Sequence, residues 1–387
     1  DQILAGAEPE DVEYGVPIQR GKSGPCGRLS ILMSKSAAPV TWLPEDLNDN
    51  KIINQLVELK TRNPGLSVVL VTKDINMRLK ARACGIDAED YHTDQLVDDV
   101  SLLSKGYHDM PGSFWDRVSK VETRQDHGRT WHRVQLTDNL PSAHINELIL
   151  DEQGFVGWIK AVKGDELVIL DMHQEPLLHQ EAWGLKPRDI HQALALFALL
   201  DPDIHLVNLS GSAGSGKTIL ALAAAIEQTM VSKRYRRIIA TRSVQGLDQE
   251  IGFLPGTEAE KMEPWLGAIT DNLEALHMED ENTHGSVDYI LQKVPLQFKS
   301  LNYIRGRSFQ QSLILIDECQ NLTPHQMKTI ITRAGSGSKV VCLGNLAQID
   351  TPYLSAPSSG LTYLTERFKD FPHGVHITLQ GVPRSIL

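Results

Sequence analysis

Residues 211–218 bring together the groups that a nucleotide phosphate requires. They read Gly-Ser-Ala-Gly-Ser-Gly-Lys-Thr, between an apolar run, Ile204–Leu209, and a helix-favouring segment, Thr218–Met230. Strand, glycine-rich loop, Lys-Thr pair and helix form, in that order, a phosphate-binding loop whose backbone N–H groups face an anion at a helix N-terminus. The alternative is a glycine-rich turn that holds no ligand. The predicted nucleotide-binding residues are Gly211, Ser212, Ala213, Gly214, Ser215, Gly216, Lys217 and Thr218.

Within this loop, two side chains are expected to do chemistry. Lys217 would reach the β- and γ-phosphates of a nucleoside triphosphate, and the Thr218 hydroxyl would bind Mg²⁺. A second metal-binding position is needed elsewhere in the chain, together with a group that orients the attacking water.

An acidic pair, Asp317 and Glu318, ends the apolar run Ser-Leu-Ile-Leu-Ile-Asp-Glu at residues 312–318. Four consecutive apolar residues fit a central strand that is covered on both faces, and open α/β sheets bind ligands at the carboxyl ends of their strands. We therefore expect Asp317 to hold Mg²⁺, directly or through water, and Glu318 to polarise the attacking water. An isolated acidic pair is often only a turn, but the phosphate-binding loop upstream argues against that alternative.

Further polar residues are candidates for contact with the terminal phosphate. Gln348 and Asn345 follow another apolar run, and either can touch the γ-phosphate and report its loss; the alternative is a polar turn. Arg305 and Arg307 precede the acidic strand, and Arg384 lies near the end of the sequence. An arginine supplied in cis or by a neighbouring subunit stabilises charge on a transferred phosphoryl group. Arg384 is the sharper candidate, although an arginine is more often a solvated surface residue.

Strand-like runs at plausible spacing supply a frame for these residues. They are Ile204–Leu209, Arg237–Thr241, residues 312–317, Lys339–Leu343 and Val375–Leu379. Because they alternate with helical or loop segments, they predict an α/β fold, a parallel sheet of about five strands with helices on both faces. The glycine loop and the acidic pair then meet at the carboxyl edge of that sheet.

The second half of the chain resembles the PhoH family of P-loop ATPases, whose core is similar to the RecA-like first motor domain of superfamily 1 helicases. The resemblance implies that Gln192 reads the adenine amide edge and that Arg242 lies in a segment pointing at a nucleic-acid backbone. Cys319 is a small departure, since alanine is usual there. The matching stretches are Trp183-Gly-Leu-Lys-Pro-Arg-Asp-Ile-His-Gln192, the loop itself, Ala240-Thr-Arg-Ser243, Gly252-Phe-Leu-Pro-Gly256, Tyr303-Ile-Arg-Gly-Arg307, Ile316-Asp-Glu-Cys-Gln-Asn321, and Gly344-Asn345 with Gln348.

Residues 67–94 resemble the C-terminal part of a PIN nuclease domain. In that family a cluster of acids binds divalent metal, Mg²⁺ or Mn²⁺, and Asp74 matches one of those acids, with Asn76 near another. From the residues alone, Asp74 also fits the N-cap of a helix. The first aspartate strand and the central glutamate of a PIN domain are not visible in residues 1–66. We therefore expect metal-dependent ribonuclease activity of the intact protein and not of this exact chain.

Between the halves, three strand-like runs separated by glycines predict a small β-module in residues 146–172. With Trp158, Lys160 and Lys163, it would present an aromatic and basic face to single-stranded RNA, or else serve as a structural spacer. The polar stretch at residues 105–139 is expected to be a linker or a partly irregular connection. The predicted domains are a partial PIN-like domain (1–105), a linker with the β-module (106–182) and a PhoH-like ATPase domain (183–387).

Composition bounds the remaining possibilities. The chain has 387 residues and a formal net charge of −11, which argues against a general nucleic-acid coat protein but not against a local basic channel. Its 4 cysteines are scattered without CxxC spacing, so neither a zinc site nor a disulfide framework is expected. No long apolar span or signal peptide is visible. We expect a cytoplasmic protein without a membrane partner.

The principal hypothesis is an ATP-hydrolysing, RNA-associated motor, an RNA helicase, coupled to a PIN-type ribonuclease. The resemblance supplies RNA as a partner. Because a single P-loop core would need an arginine from a neighbour, we expect a homo-oligomer, a hexameric ring. The alternative is a nucleotide-gated regulatory ATPase switch without RNA unwinding. Glu318 argues against a third class, the kinases.

Overall fold

The structure is a computed structural model, and its chain falls into two compact units, Asp1–Thr93 and Asp94–Leu387. The predicted boundaries at residues 105 and 182 stay a prediction. Within the described ranges, no helix is both long and apolar enough to cross a membrane. The structure describes residues 15–19, 25–31, 43–44, 47–91, 96–97, 99–137, 143–243, 294–299, 301–351 and 354–381.

The first unit contains an antiparallel strand pair, β1 and β2, and a β-α-β arrangement in which β3 and β4 are parallel. Leu70 and Ala88 lie centrally in β3 and β4 and pack with Ile53 and Met77 of the helices, so each helix buries one apolar stripe. The elements are β1 (Val16–Gln19), β2 (Pro25–Leu29), α1 (Asn48–Arg62), β3 (Val69–Val71), α2 (Ile75–Ala83) and β4 (Asp87–Glu89).

The second unit begins with a six-stranded sheet of order β5-β8-β9-β10-β7-β6, antiparallel except for the β5–β8 pair. The expectation of an irregular connection at residues 105–139 is wrong, because three of these strands lie there. A turn at His127 and Gly128, both with positive φ, joins β6 and β7, as in a tight hairpin. The strands are β5 (Tyr107–Met110), β6 (Val118–Asp126), β7 (Arg129–Leu136), β8 (Leu148–Asp151), β9 (Val156–Lys163) and β10 (Glu166–Asp171).

Of the two alternatives for the β-module, a face that presents Trp158 and Lys160 to RNA is wrong, and the structural spacer stays a prediction. Trp158 is 1% exposed and belongs to the core, where its Nε1 donates to Asn146 Oδ1 at 3.0 Å. Lys160 lies over the same ring, 4.0 Å from Nζ to the centroid, and burial lowers its pKa to about 8. Trp158 and Lys160 therefore pack against each other, and the indole ring does not face solvent.

The rest of the second unit is a parallel sheet of order β13-β12-β14-β15-β11-β16. The five predicted strands are present, and β13, only three residues long, adds a sixth. Along β11, Val207 and Leu209 belong to one core and Leu206 to another, so the sheet is covered on both faces. Its elements are α3 (Ile190–Leu200), β11 (Leu206–Gly211), α4 (Lys217–Ile226), β12 (Arg237–Arg242), β13 (Leu296–Phe298), α5 (Leu301–Arg305), β14 (Ser312–Asp317), α6 (Pro324–Ile331), β15 (Lys339–Gly344), α7 (Gly360–Arg367) and β16 (Gly374–Leu379).

Candidate nucleotide site at the carboxyl edge of the parallel sheet

The glycine loop runs from the end of β11 into α4 with a backbone that only glycine accommodates easily. Gly211, Gly214 and Gly216 have φ of 146°, 81° and 91°. A Cβ on Gly211 would lie 2.5 Å from the carbonyl oxygen of Leu379, and one on Gly216 would lie 2.9 Å from Gln192 Nε2. Both conditions, left-handed φ and close packing, require glycine. The cradle at the N-terminus of α4 therefore fits an anionic phosphate.

Lys217 folds back over this cradle. Its Nζ donates to the carbonyl oxygens of Gly211 and Ser212, each at 2.8 Å, and to Ser215 Oγ at 3.3 Å. Burial lowers the pKa of Lys217, while the negative charges of Asp317 and Glu318 oppose that shift. These loop oxygens carry no formal charge, so a phosphate can replace them as acceptors with a stronger, charge-assisted bond.

Gln192 is buried against the loop, in the first turn of α3. Its Nε2 donates to the carbonyl of Ser215 at 3.0 Å, and its Oε1 accepts from the backbone N–H of Arg188 at 2.9 Å. Asp189 caps the helix by accepting from the Gln192 backbone N–H. The amide thus joins the segment before α3 to the loop, and its contact with adenine stays a prediction.

The acidic pair lies at the carboxyl end of β14, and β15 separates this strand from β11. Burial and the neighbouring Glu318 raise the pKa of Asp317, and Arg242 opposes the shift. Glu318 has a left-handed backbone, φ 56°, and its N–H donates to Asp317 Oδ1 at 3.0 Å. This conformation is uncommon for a residue other than glycine.

Gln320 is a site residue that the sequence analysis did not identify. It is fully buried, and its Nε2 donates both to Glu318 Oε2 and to the carbonyl of Gln348, the latter at 2.9 Å. Its Oε1 accepts from the backbone N–H of Asn345 at 3.0 Å. The sequence did contain a signal for Gln320, since a polar residue stands two positions after the acidic pair. Gln320 ties the acidic pair to the loop that follows β15.

The tip of β15 carries the two other polar candidates. Asn345 Nδ2 donates to Gln348 Oε1 at 3.1 Å, and both residues lie between the strand of the glycine loop and the strand of the acidic pair. Adjacent strands are about 4.8 Å apart, so about 10 Å separates β11 from β14. The predicted loop, acids and tip residues therefore meet at one edge, as ligands of such sheets require.

The arginines divide between described and undescribed parts of the chain. Arg242 ends β12 and donates from Nη2 to Glu318 Oε1 at 2.9 Å. Arg307 contacts the Tyr303 hydroxyl. Arg305 ends α5, but its side chain lies outside what the structure describes, as do Arg384 and residues 252–256.

In the first unit, Asp74 caps helix α2. Its Oδ1 accepts from the backbone N–H groups of Asn76 and Met77 at 2.8 and 3.1 Å. Among the described residues, no three histidine, cysteine or acidic side chains are grouped as a metal would need. The role of Asp74 as a metal ligand stays a prediction.

Comparisons with known proteins agree with this architecture. The model of the PhoH-like protein family matches residues 184–384, and that of the PIN domain matches residues 20–92. Protein PhoH2 of Bacillus subtilis (strain 168) is 39% identical over 354 residues, which cover 88% of this chain and 76% of that protein. Protein PhoH2 of Mycolicibacterium smegmatis is 31% identical, over 95% of this chain and 79% of its own length.

Among solved structures, the crystal structure of Pif1 helicase from Candida albicans is 15% identical and covers 52% of this chain and 41% of that chain, with a TM-score of 0.27. A similarity of that size supports no functional argument. The two family matches and the relatives that span most of the chain do support one statement. This chain belongs to the PhoH family, in the form that carries an N-terminal PIN domain.

Proposed function

We propose that this protein is an ATP-hydrolysing, RNA-associated motor, an RNA helicase, coupled to a PIN-type ribonuclease. The observation that carries the ATPase part is the convergence of the glycine cradle, Lys217 and the acidic pair at one sheet edge. A donor-rich loop and two carboxylates are the groups that phosphoryl transfer needs for positioning and electrostatic stabilisation.

The chain's own residues divide this work. The N–H groups of residues 211–216 and the Lys217 ammonium hold the phosphates, while Gln192 positions the loop beneath them. Thr218 and Asp317 offer the oxygens that Mg²⁺ prefers. Bound Mg²⁺ would neutralise charge that develops on the phosphates. Glu318 accepts a hydrogen bond from the attacking water, and Gln348 contacts the terminal phosphate. Arg384 or Arg305 stabilises the transferred charge from a neighbouring subunit of a hexameric ring.

The RNA and nuclease parts of the proposal follow from the family. A PIN domain is joined to the PhoH domain in this chain, and a motor that moves single-stranded RNA would deliver substrate to a nuclease. The intact protein would cleave RNA with Mg²⁺ or Mn²⁺ bound by acids that include Asp74. We place both activities in the cytoplasm.

A second candidate is a nucleotide-gated switch that does not unwind RNA. The contacts of Gln320 favour this candidate, because its side chain joins Glu318 directly to the loop after β15. A movement of that loop on loss of the terminal phosphate would therefore reach Glu318 without a second motor domain. A switch of this kind hydrolyses ATP slowly and at a rate that RNA does not change.

Steady-state ATP hydrolysis with and without single-stranded RNA of defined length distinguishes the two candidates. The motor predicts several-fold stimulation and strand separation of a tailed duplex, with both lost in Lys217→Ala. Mass photometry of the same samples would show hexamers. RNA-independent turnover would support the switch, and full turnover by monomers would exclude an arginine acting between subunits.

A further inference from the structure

The contact between Arg242 and Glu318 assigns a role to an arginine outside the phosphate-binding loop. Arg242 ends β12, Glu318 follows β14, and these two strands are neighbours in the sheet. The guanidinium donates from Nη2 to Glu318 Oε1 at 2.9 Å and places Nε 3.9 Å from Asp317 Oδ2. The side chains of Arg242 and Glu318 are 31% and 26% exposed, so solvent and ligands can reach the pair.

The direction of this contact matters because of the strand order. The glycine loop follows β11, and β15 and β14 lie between β11 and β12. At a spacing of about 4.8 Å per strand, the end of β12 is about 14 Å from the end of β11. Arg242 therefore draws the Glu318 carboxylate toward the side of the site that faces away from the loop. Gln320 holds the other carboxylate oxygen from the β15 side.

A carboxylate that accepts a charge-assisted bond from an arginine is held in one direction by that bond. A phosphodiester carries the same charge as a carboxylate and offers the same paired oxygens to a guanidinium. A phosphate bound at the exposed side of Arg242 would compete with Glu318 for these donors.

We propose that Arg242 is a positioning residue that restrains Glu318 until the backbone of single-stranded RNA takes over its guanidinium. The inference rests on the proposed RNA-associated ATPase and explains how RNA would stimulate it. Glu318, once released, remains bonded to Gln320 and turns toward the water beside the terminal phosphate. No covalent change occurs at Arg242.

Competition of this kind has a consequence that needs no nucleotide. If Glu318 and RNA compete for Arg242, removal of Glu318 must strengthen RNA binding. Fluorescence anisotropy of a labelled 20-nucleotide polyuridine, without ATP, should show about fivefold tighter binding by Glu318→Ala. Arg242→Gln should bind the RNA more weakly. The slope of the logarithm of its binding constant against the logarithm of salt concentration should be smaller in magnitude by about 0.7. In the Arg242→Gln background, Glu318→Ala should change nothing.

A matched control separates this competition from simple loss of negative charge. Asp350 is exposed on the loop after β15, at the same edge, so Asp350→Ala removes one acidic charge there without touching Arg242. Asp350→Ala should leave the affinity for RNA within about twofold of the wild-type value. Arg242→Lys keeps the charge but not the paired donors. This variant should bind RNA at an intermediate affinity, which guards against loss of folding in Arg242→Gln.

Hydrolysis provides the second readout. Arg242→Gln should hydrolyse ATP faster than wild type without RNA and respond less to RNA, so the stimulation ratio falls several-fold. Equal gains in affinity from Glu318→Ala and Asp350→Ala, or an undiminished gain in the Arg242→Gln background, would overturn the inference while leaving an RNA-binding ATPase in place. Absence of RNA binding by every variant and by wild type would instead overturn the proposed function.

Discussion

Glu318 illustrates how a single residue acquires its chemistry from its neighbours. Its backbone is left-handed, its N–H donates to Asp317, and its two carboxylate oxygens face Arg242 on one side and Gln320 on the other. These contacts leave the carboxylate oriented before a substrate arrives. Its place beside Asp317 makes Glu318 the candidate for activating water, and the bond to Arg242 has to be released before it can turn toward that water.

Glu318→Gln should keep nucleotide affinity and lose turnover. The amide preserves the size of the side chain but cannot accept a proton, so kcat should fall on the order of 100-fold or more. Lys217→Ala should instead lose tight ATP binding, because the ammonium contacts the phosphates before and during reaction. Isothermal titration with ATP, beside steady-state kinetics, measures both effects. An equal loss of affinity in the two variants would refute the assigned roles.

Lys339 links two elements that carry site residues. It is completely buried at the start of β15, and its Nζ donates to the carbonyl oxygens of Leu199 and Asp201 at the C-terminus of α3. A lysine there bonds the last carbonyls of the helix and complements its dipole. The opposite ends of the two elements bear Gln192 and Asn345, so this bond joins a helix and a strand that both contribute residues to the site.

Burial lowers the pKa of Lys339 to about 7, from 10.5 in the unfolded chain. Between these values the unfolded chain binds more protons than the folded one. The free energy of unfolding therefore rises with pH across this window and falls as pH drops toward 7, by at most about 1.4 kcal/mol per unit. Lys339→Met should remove this contribution. Urea denaturation at pH 7 and pH 9 should therefore show a smaller increase in the free energy of unfolding than in wild type.

The exposed Lys163 offers a control for that measurement. Lys163→Met removes an equal charge at the surface and should leave the wild-type pH dependence unchanged. If the free energy of unfolding changes equally between pH 7 and pH 9 in Lys339→Met and Lys163→Met, Lys339 is not deprotonated in the folded chain.

At the scale of the whole second unit, the mixed sheet packs against the parallel sheet through close contacts to the backbone at and beside β16. Asn146 is 2% exposed, and its Nδ2 donates to the carbonyl of Pro372 at 2.8 Å and to that of Gly374, the first residue of β16, at 3.0 Å. A Cβ on Gly106 would lie 1.7 Å from the carbonyl oxygen of His376. The strand beside the glycine loop is thus held by the preceding sheet.

Asn146→Ala should destabilise the second unit by about 2 kcal/mol or more. The change leaves the Trp158 Nε1 donor and the two carbonyls without their partner inside the protein. Urea denaturation followed by tryptophan fluorescence measures the loss. Gln153→Ala, in an exposed turn, should stay within about 0.5 kcal/mol of wild type. A loss as small as that of the control would show that the two sheets are held by other contacts.

Much of the parallel sheet was predictable because its signals are local. A strand that is buried on both faces must be apolar throughout, as in residues 312–317, and a loop that curls around phosphate must contain glycine at set positions. Local patterns failed where strands are polar. Every residue of β6 after Val118 is exposed, so no alternation marks it, and the hairpin at residues 118–136 was mistaken for an irregular connection.

The amino-acid order was sufficient to identify the glycine loop, the acidic pair and the family, since each depends on neighbours in the chain. The partners of those residues come from far along it. Arg242 reaches Glu318 across 76 positions, Asn146 reaches Gly374 across 228, and Trp158 is buried by packing that its own segment does not reveal. Such contacts exist only after the strands are ordered in the sheets, because strand order, not sequence distance, decides which side chains lie side by side.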